Sequence, residues 1–245
     1  MAHNAPRHRA CELSWRTGRG FRAGPLSWGR LGPPAPVRVL TEGRADGIRS
    51  PAVRLPSAFY ARPALTVARE LLGARLVVDE GGWRRVGRIV ETEAYVGEHD
   101  LACHASKGRT ARTEVLFGPP GRAYVYLIYG MYHCFNAVTD LEGVGSAVLV
   151  RAVEPVEGLP PEARTDGPGR LCRALGLTLA HNRWDLQSAQ LHIEAGPPVP
   201  ESGVERGPRI GVDYAGAWAQ EPYRLWVRGS QHVSRPPRRR RGERS

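Results

Sequence analysis

Two tyrosine-dense runs with a histidine between them hold the residue types that could do chemistry. The first is Glu91-Thr92-Glu93-Ala94-Tyr95. The second is Tyr124-Val125-Tyr126-Leu127-Ile128-Tyr129-Gly130-Met131-Tyr132, and His104 lies between them. Five of the eight tyrosines fall in these runs. Side chains alternate across a strand, so Glu91, Glu93 and Tyr95 share one face, as do Tyr124 and Tyr126. A carboxylate, an imidazole and paired aromatic planes are what a pocket needs to hold a flat heterocycle and activate a water beside it. Glu93 in an apolar strand suits a general base whose pocket tunes its pKa; the same spacing also fits an edge glutamate facing solvent. His104 suits a hydrogen bond to a base edge, a phosphate or a water, or a structural role. Tyr95 and Tyr126 could sandwich a base, at ~1–3 kcal/mol per stacked base, or simply pack a half-buried sheet.

Tyr129-Gly130-Met131-Tyr132 crowds large side chains into a strand-to-strand turn. An exposed aromatic tip of this kind suits a wedge that enters a groove and unstacks a base step. Asn136 on the return strand could read a base edge. Arg151 ends the apolar run Ala147-Val148-Leu149-Val150. An unpaired buried charge there would be costly, so a partner is expected, either a backbone phosphate or an acid such as Glu93.

The elements that must position these residues follow from periodicity. Pro63 to Leu72 has helical apolar spacing at Leu65, Ala68, Leu71 and Leu72, and stops at Gly73. Arg75–Asp79 and about Trp83–Tyr95 read as a hairpin turned by Glu80-Gly81-Gly82. Residues 96–121 read as loop with one short helix near Thr113–Phe117. Arg122–Tyr129 and Tyr132–Thr139 are strands joined at Gly130, and Ser146–Glu154 is a long apolar strand. Gly167–Gly176 opens a helix. Short strands are expected near Leu191–Glu194, Arg209–Tyr214 and Tyr223–Arg228. The pattern is α+β: a curved, mainly antiparallel sheet of the open-barrel kind with flanking helices.

The 245 residues carry a formal charge of +11, which suggests a nucleic-acid partner. The charge is unevenly placed. Residues 1–54 hold ten Arg against Glu12, Glu42 and Asp46, a net of +7, and residues 235–245 hold six Arg against Glu243, a net of +5. The middle, 55–234, has nineteen basic and twenty acidic residues, a net of −1. Any phosphate-binding surface there must come from local placement. Arg84, Arg85 and Arg88 form one candidate cluster; Lys107, Arg109 and Arg112 form another. The two ends, rich in Arg, Gly and Pro and without periodicity, read as disordered extensions around one folded domain at 55–234. Cys11, Cys103, Cys134 and Cys172 have no metal-knuckle or redox spacing and read as reduced intracellular thiols. His99, Asp100, Cys103 and His104 are too adjacent for joint tetrahedral ligands, so no metal site is expected. No run approaches the ~18–20 apolar residues of a membrane span.

Taken together, these residues resemble the alkyladenine (3-methyladenine) DNA glycosylase family. The resemblance rests on Arg88–Tyr95, His104, Tyr124–Tyr132 and Asn136, then Leu149-Val150-Arg151-Ala152-Val153-Glu154-Pro155, Gly167–Cys172, Arg209-Ile210-Gly211-Val212 and Arg228-Gly229-Ser230. It covers about 55–234 with order and spacing kept. The resemblance implies a single compact α+β domain with a protruding β-hairpin, no metal and no cofactor. Glu93 would activate the attacking water. Tyr95, His104 and Tyr126 would contact a flipped base, with His104 also positioning the water, and Leu149 would join that pocket. Arg151 would hold the water and the target phosphate. Tyr129 would fill the vacated stack, with Met131 and Tyr132 beside it, and Asn136 would reject a guanine-type amino group. His133 departs from the family pattern, which has an aromatic residue there. The implied partner is double-stranded DNA containing damaged purines, met as a monomer in the cytoplasm or nucleoid of a prokaryotic cell, without a membrane.

The chain has a single lysine, Lys107, in a loop that matches no catalytic position. An amine is what a strand-nicking glycosylase uses to form a Schiff base. A monofunctional enzyme that leaves an abasic site is therefore expected. Two other readings compete: a damaged-DNA binding protein without turnover, and a formyltransferase-type module, for which no folate-site residues are evident.

Overall fold

A proline-led helix and a glycine-turned hairpin open the fold. The computed structural model describes residues 53–234; the expected extensions lie outside these, apart from Val53 and Arg54. Helix α1 (Ser57–Tyr60) is followed by α2 (Ala64–Glu70), which begins after Pro63. Its buried residues are Ala64, Val67 and Ala68, while Leu65 faces outward. Strands β1 (Arg75–Glu80) and β2 (Trp83–Val96) pair through Gly81 and Gly82, with φ of 62° and 78°. Such left-handed values are what glycine tolerates best in a two-residue turn. Then come β3 (Ala123–Ile128), β4 (Tyr132–Thr139), β5 (Ser146–Glu157) and α3 (Pro168–Leu175). Helix α3 stops at Gly176, a left-handed cap with φ 78°. Strands β6 (Leu191–Glu194), β7 (Val204–Gly207) and β8 (Arg224–Val227) complete the set.

All the named strand pairs are antiparallel, in the order β3-β4-β5-β2-β1-β6, with β8 also against β2 and β7 against β8. The curled α+β sheet matches the expected fold class. Strand β2 is the axis of the arrangement. One edge runs along β5; the other meets β1 in its first half and β8 at Glu91–Glu93.

Alternation gives the sheet two unlike faces. One face carries Ala94, Ala123, Val125, Phe135, Ala137, Val148 and Val150 into the main core, with Leu71, Leu171 and Leu175 from the helices. Each such buried leucine contributes roughly 1.5–3 kcal/mol. The other face carries a continuous cross-strand row: Tyr124 opposite Asn136, Asn136 opposite Leu149, Leu149 opposite Glu93, and Glu93 opposite Arg224.

Of the three register shifts in the β2–β5 ladder, two sit beside this row. Ile89 pairs with Val153 but Glu91 with Ala152, leaving Val90 extra on β2; Thr92 then pairs with Val150, leaving Arg151 extra on β5. A bulged residue is re-aimed relative to its strand. Arg151 is such a residue, and its side chain reaches both Glu91 and Glu93.

Three parts of the sequence reading need correction. Arg209–Tyr214 is not a strand. Residues 209–212 are irregular, and two short 3-10 turns joined at a kink at Gly216 run from Asp213 to Gln220. The N–H of Ile210 goes to a carboxylate instead of a ladder. The strand pairing with β8 is β7, a few residues earlier. Finally, the loop after β2 contains a 3-10 turn at His104–Lys107 as well as the expected one, found at Glu114–Phe117. No helix among the described residues is long and apolar enough to cross a membrane.

Candidate active site

The polar row of the sheet forms the floor of a cavity of about 370 Å³, within the range of pockets that bury a small ligand. Tyr95, Tyr124, Tyr126, Cys134, Asn136, Leu149 and Arg151 line it from the sheet. His104 and Arg112 close it from the loop after β2, Ile210, Gly211 and Val212 from the segment before Asp213, and Tyr214 from the 3-10 segment itself.

Glu93 is fully buried, which removes the solvent-facing alternative. It does not line the cavity; three lining residues hold it just behind the wall. Its Oε1 accepts from the Ile210 N–H at 2.7 Å and meets Arg151 Nη1 at 3.2 Å. Its Oε2 accepts from the Tyr95 hydroxyl at 2.8 Å. A carboxylate has about four lone-pair positions, so Oε2 keeps one for a water. Burial and the Glu93 charge push the Tyr95 phenol well above its ordinary range, so it stays a neutral donor.

Arg151 has the acidic partner its apolar surroundings require, and has two. Nε lies 3.2 Å from Glu91 Oε1, and Nη1 lies 3.2 Å from Glu93. Burial opposes the guanidinium charge, but Glu93 and Glu91 outweigh it and hold the pKa above the ordinary arginine range. Glu91, also fully buried, accepts further bonds from Arg224 at 3.1 Å and from Ser234, through its N–H at 2.6 Å and its hydroxyl at 2.8 Å.

His104 is held by Tyr124, whose hydroxyl lies 2.8 Å from Nδ1, and meets the edge of Tyr126 at 4.7 Å between centroids. Burial and the nearby Arg112 lower its pKa to about 4, so it is neutral at physiological pH. Asn136 is buried and donates through Nδ2 to the Tyr124 carbonyl at 3.0 Å. Arg112 sits over the Tyr126 ring at 5.1 Å. Lys107, Arg109 and Arg112 are exposed, and none forms an ion pair with a described residue.

The other basic cluster is a correction. Arg84 pairs with Glu194, Asp79 and Glu157, Arg85 bonds the Leu175 carbonyl, and Arg88 pairs with Glu154. Each of these arginines already has an acceptor within the protein. The metal candidates are likewise occupied separately. Asp100 is locked to Arg209, His99 stands edge-on to Trp218, and the buried Cys103 thiol reaches the Gly145 carbonyl. No group of three or more possible metal ligands occurs among the described residues.

The β3–β4 hairpin protrudes as expected. Tyr129 is 82% exposed and Met131 63%. Tyr129 has φ 52°, unusual for a bulky residue, with Gly130 following at 68°. Tyr132 is half-exposed at its foot: a Cβ on Gly169, in the first turn of α3, would come within 2.9 Å of the Tyr132 Cβ. The α3 glycine thus lets the hairpin base approach the helix. His133 pairs with Leu127 and is only partly buried.

Three residues named from the sequence play parts in the site that it did not assign to them. Tyr124 orients His104. Asp100 and Arg209, both fully buried at their side chains, clamp the loop carrying His104 to the segment carrying Ile210. Arg209 also lies over Tyr95 at 4.8 Å. Asp100 was visible only as a possible ligand, and nothing in its spacing from Arg209, over a hundred positions on, marks them as partners.

Residues 58–231 match the model of the methylpurine-DNA glycosylase family. A protein of Myxococcus xanthus, named as a candidate 3-methyladenine DNA glycosylase, is 77% identical over 189 residues, 76% of this chain and 97% of that protein. Relatives with the same name occur in Anaeromyxobacter dehalogenans, 56% identical over 76% of this chain and 87% of theirs, and in Legionella pneumophila, 50% identical over 74% and 98%.

Proposed function

Because the chain belongs to the methylpurine-DNA glycosylase family, we propose that it is a monofunctional enzyme of base excision repair. It turns alkylated or deaminated purines out of duplex DNA, hydrolyses the N-glycosidic bond and leaves an abasic site. The alkylated base named for its relatives, 3-methyladenine, is the first substrate to test. The observation that carries the reading is the Glu93–Arg151 centre: a carboxylate with one open lone pair directly behind a cavity of base size.

The target base must leave the stack, because its C1′ is unreachable inside the duplex; the cost is about a few kcal/mol and is least at a damaged pair. Tyr126 and Tyr95 flank the base, which gains ~0.5–2 kcal/mol from the aromatic faces when it is cationic. The glycosidic bond loosens toward an oxocarbenium ion and its electron pair goes to the departing base nitrogen. Water forms the new bond to C1′ and gives its proton to Glu93. Neutral His104 and Arg151 orient that water, and Arg151 also faces the nucleotide's phosphate. Asn136 and Leu149 set the fit of the base edge. Tyr129, flanked by Met131 and Tyr132, fills the gap in the stack. Lys107, Arg109 and Arg112 add backbone contacts. The reaction needs no metal or cofactor, and we place the enzyme inside the cell as a monomer on DNA.

The test is a single-turnover assay on duplexes containing 3-methyladenine or hypoxanthine. Base release without strand cleavage, and without borohydride trapping, is expected. Nicking or trapping would overturn the monofunctional assignment. Tight binding with no release would favour the damaged-DNA binding protein.

A further inference from the structure

Behind the cavity, the chain returns after β8 to place Ser234 against the two buried carboxylates. Ser234 is only 5% exposed, although an arginine-rich run follows it. Its N–H donates to Glu91 Oε2 at 2.6 Å and its hydroxyl to Glu91 Oε1 at 2.8 Å. The same hydroxyl accepts from Arg151 Nη2 at 3.3 Å and Nε at 3.4 Å. One hydroxyl can donate and accept at once, so Ser234 bridges Glu91 and Arg151.

We propose that Ser234 is a positioning residue for the reaction, acting through Arg151; the proposal rests on the glycosylase reading. A guanidinium between two carboxylates can close bidentately on either one. Closure on Glu93 would take the lone pair a water needs and draw charge from the base. Closure on Glu91 would leave Glu93 without its cation. Ser234 prevents both. It saturates Glu91 and occupies Nη2, leaving Nη1 as the nitrogen that meets Glu93. Arg224, the remaining donor to Glu91, reaches it from β8.

The test uses the full chain with the hydroxyl removed, Ser234→Ala, and restored, Ser234→Thr. Single-turnover excision should fall about tenfold in Ser234→Ala and return in Ser234→Thr, with affinity for lesion duplex unchanged. Arg151→Lys keeps a charge but loses the fork. In that background Ser234→Ala should cost less than about twofold, because the contact it removes is already gone. An unchanged rate in Ser234→Ala, or an equal loss in both backgrounds, would overturn the proposal. So would a loss that Ser234→Thr does not restore. Wild-type protein that releases no base would remove the parent reading along with this one; active wild type with indifferent Ser234→Ala removes this one alone.

Discussion

At Glu93 both carboxylate oxygens have protein partners and no part of the residue meets solvent. At Tyr129 a whole ring stands in water on a backbone conformation that disfavours it. Tyr129 lines the cavity and Glu93 sits just behind its wall, and the two are built by opposite rules. On the proposed mechanism the Glu93 end is preorganised, because charges that reorient during a reaction cost barrier height. On the same proposal the hairpin tip is left unsatisfied, because its partner is the space a base leaves. Strain of about 1–2 kcal/mol at a left-handed non-glycine residue persists where function keeps it.

The contrast can be broken most severely at the buried end. Glu93→Gln keeps shape and burial but removes the base. Excision should fall by up to about ten-thousand-fold while affinity for lesion duplex stays within a few fold; parallel losses in both would show that Glu93 serves binding instead.

A smaller effect should appear on acidification. His104 titrates near 6.5 when unfolded and at about 4 when folded. Between these values the unfolded chain binds the extra proton, so stability falls as pH falls. Its share amounts to roughly 3 kcal/mol by about pH 4. Urea denaturation from about pH 7 to about pH 4 should show wild type losing more stability than His104→Gln by that amount. Equal losses would mean the imidazole is not held neutral by its site.

The smallest effect sharpens the exposed end. Tyr129→Gly relieves the left-handed strain and should raise stability by about 1 kcal/mol, or roughly 2–4 °C in melting temperature. Excision from duplex should nevertheless drop, while excision from single-stranded DNA, which has no stack to refill, stays the same. Equal effects on both substrates would assign Tyr129 to the pocket instead of the wedge.

The legible parts of the molecule were those that local rules govern. The β1–β2 hairpin was readable from Gly81-Gly82, and the α3 cap from Gly176. Strand alternation placed Glu91, Glu93 and Tyr95 together, and burial arithmetic demanded a partner for Arg151. Illegible parts depend on contacts between distant positions. Arg209–Tyr214 has the composition of a strand, yet its buried arginine and the Ile210 N–H are taken by acids on other elements. Arg84, Arg85 and Arg88 look like a basic surface until the fold supplies their acceptors. Ser234 lies 143 positions from Glu91, and nothing local announces their bond.

The paired register shifts have an evolutionary consequence. Val90 and Arg151 are each one residue too many for the ladder, and the two surpluses cancel. Losing only one would leave the strands out of step beyond that point, turning core residues to the wrong face. Losing both would keep the strands in step on either side, with no arginine between Glu91 and Glu93. The two extra residues therefore behave as a locked pair: a lineage can keep both and the chemistry, or shed both and keep only the fold.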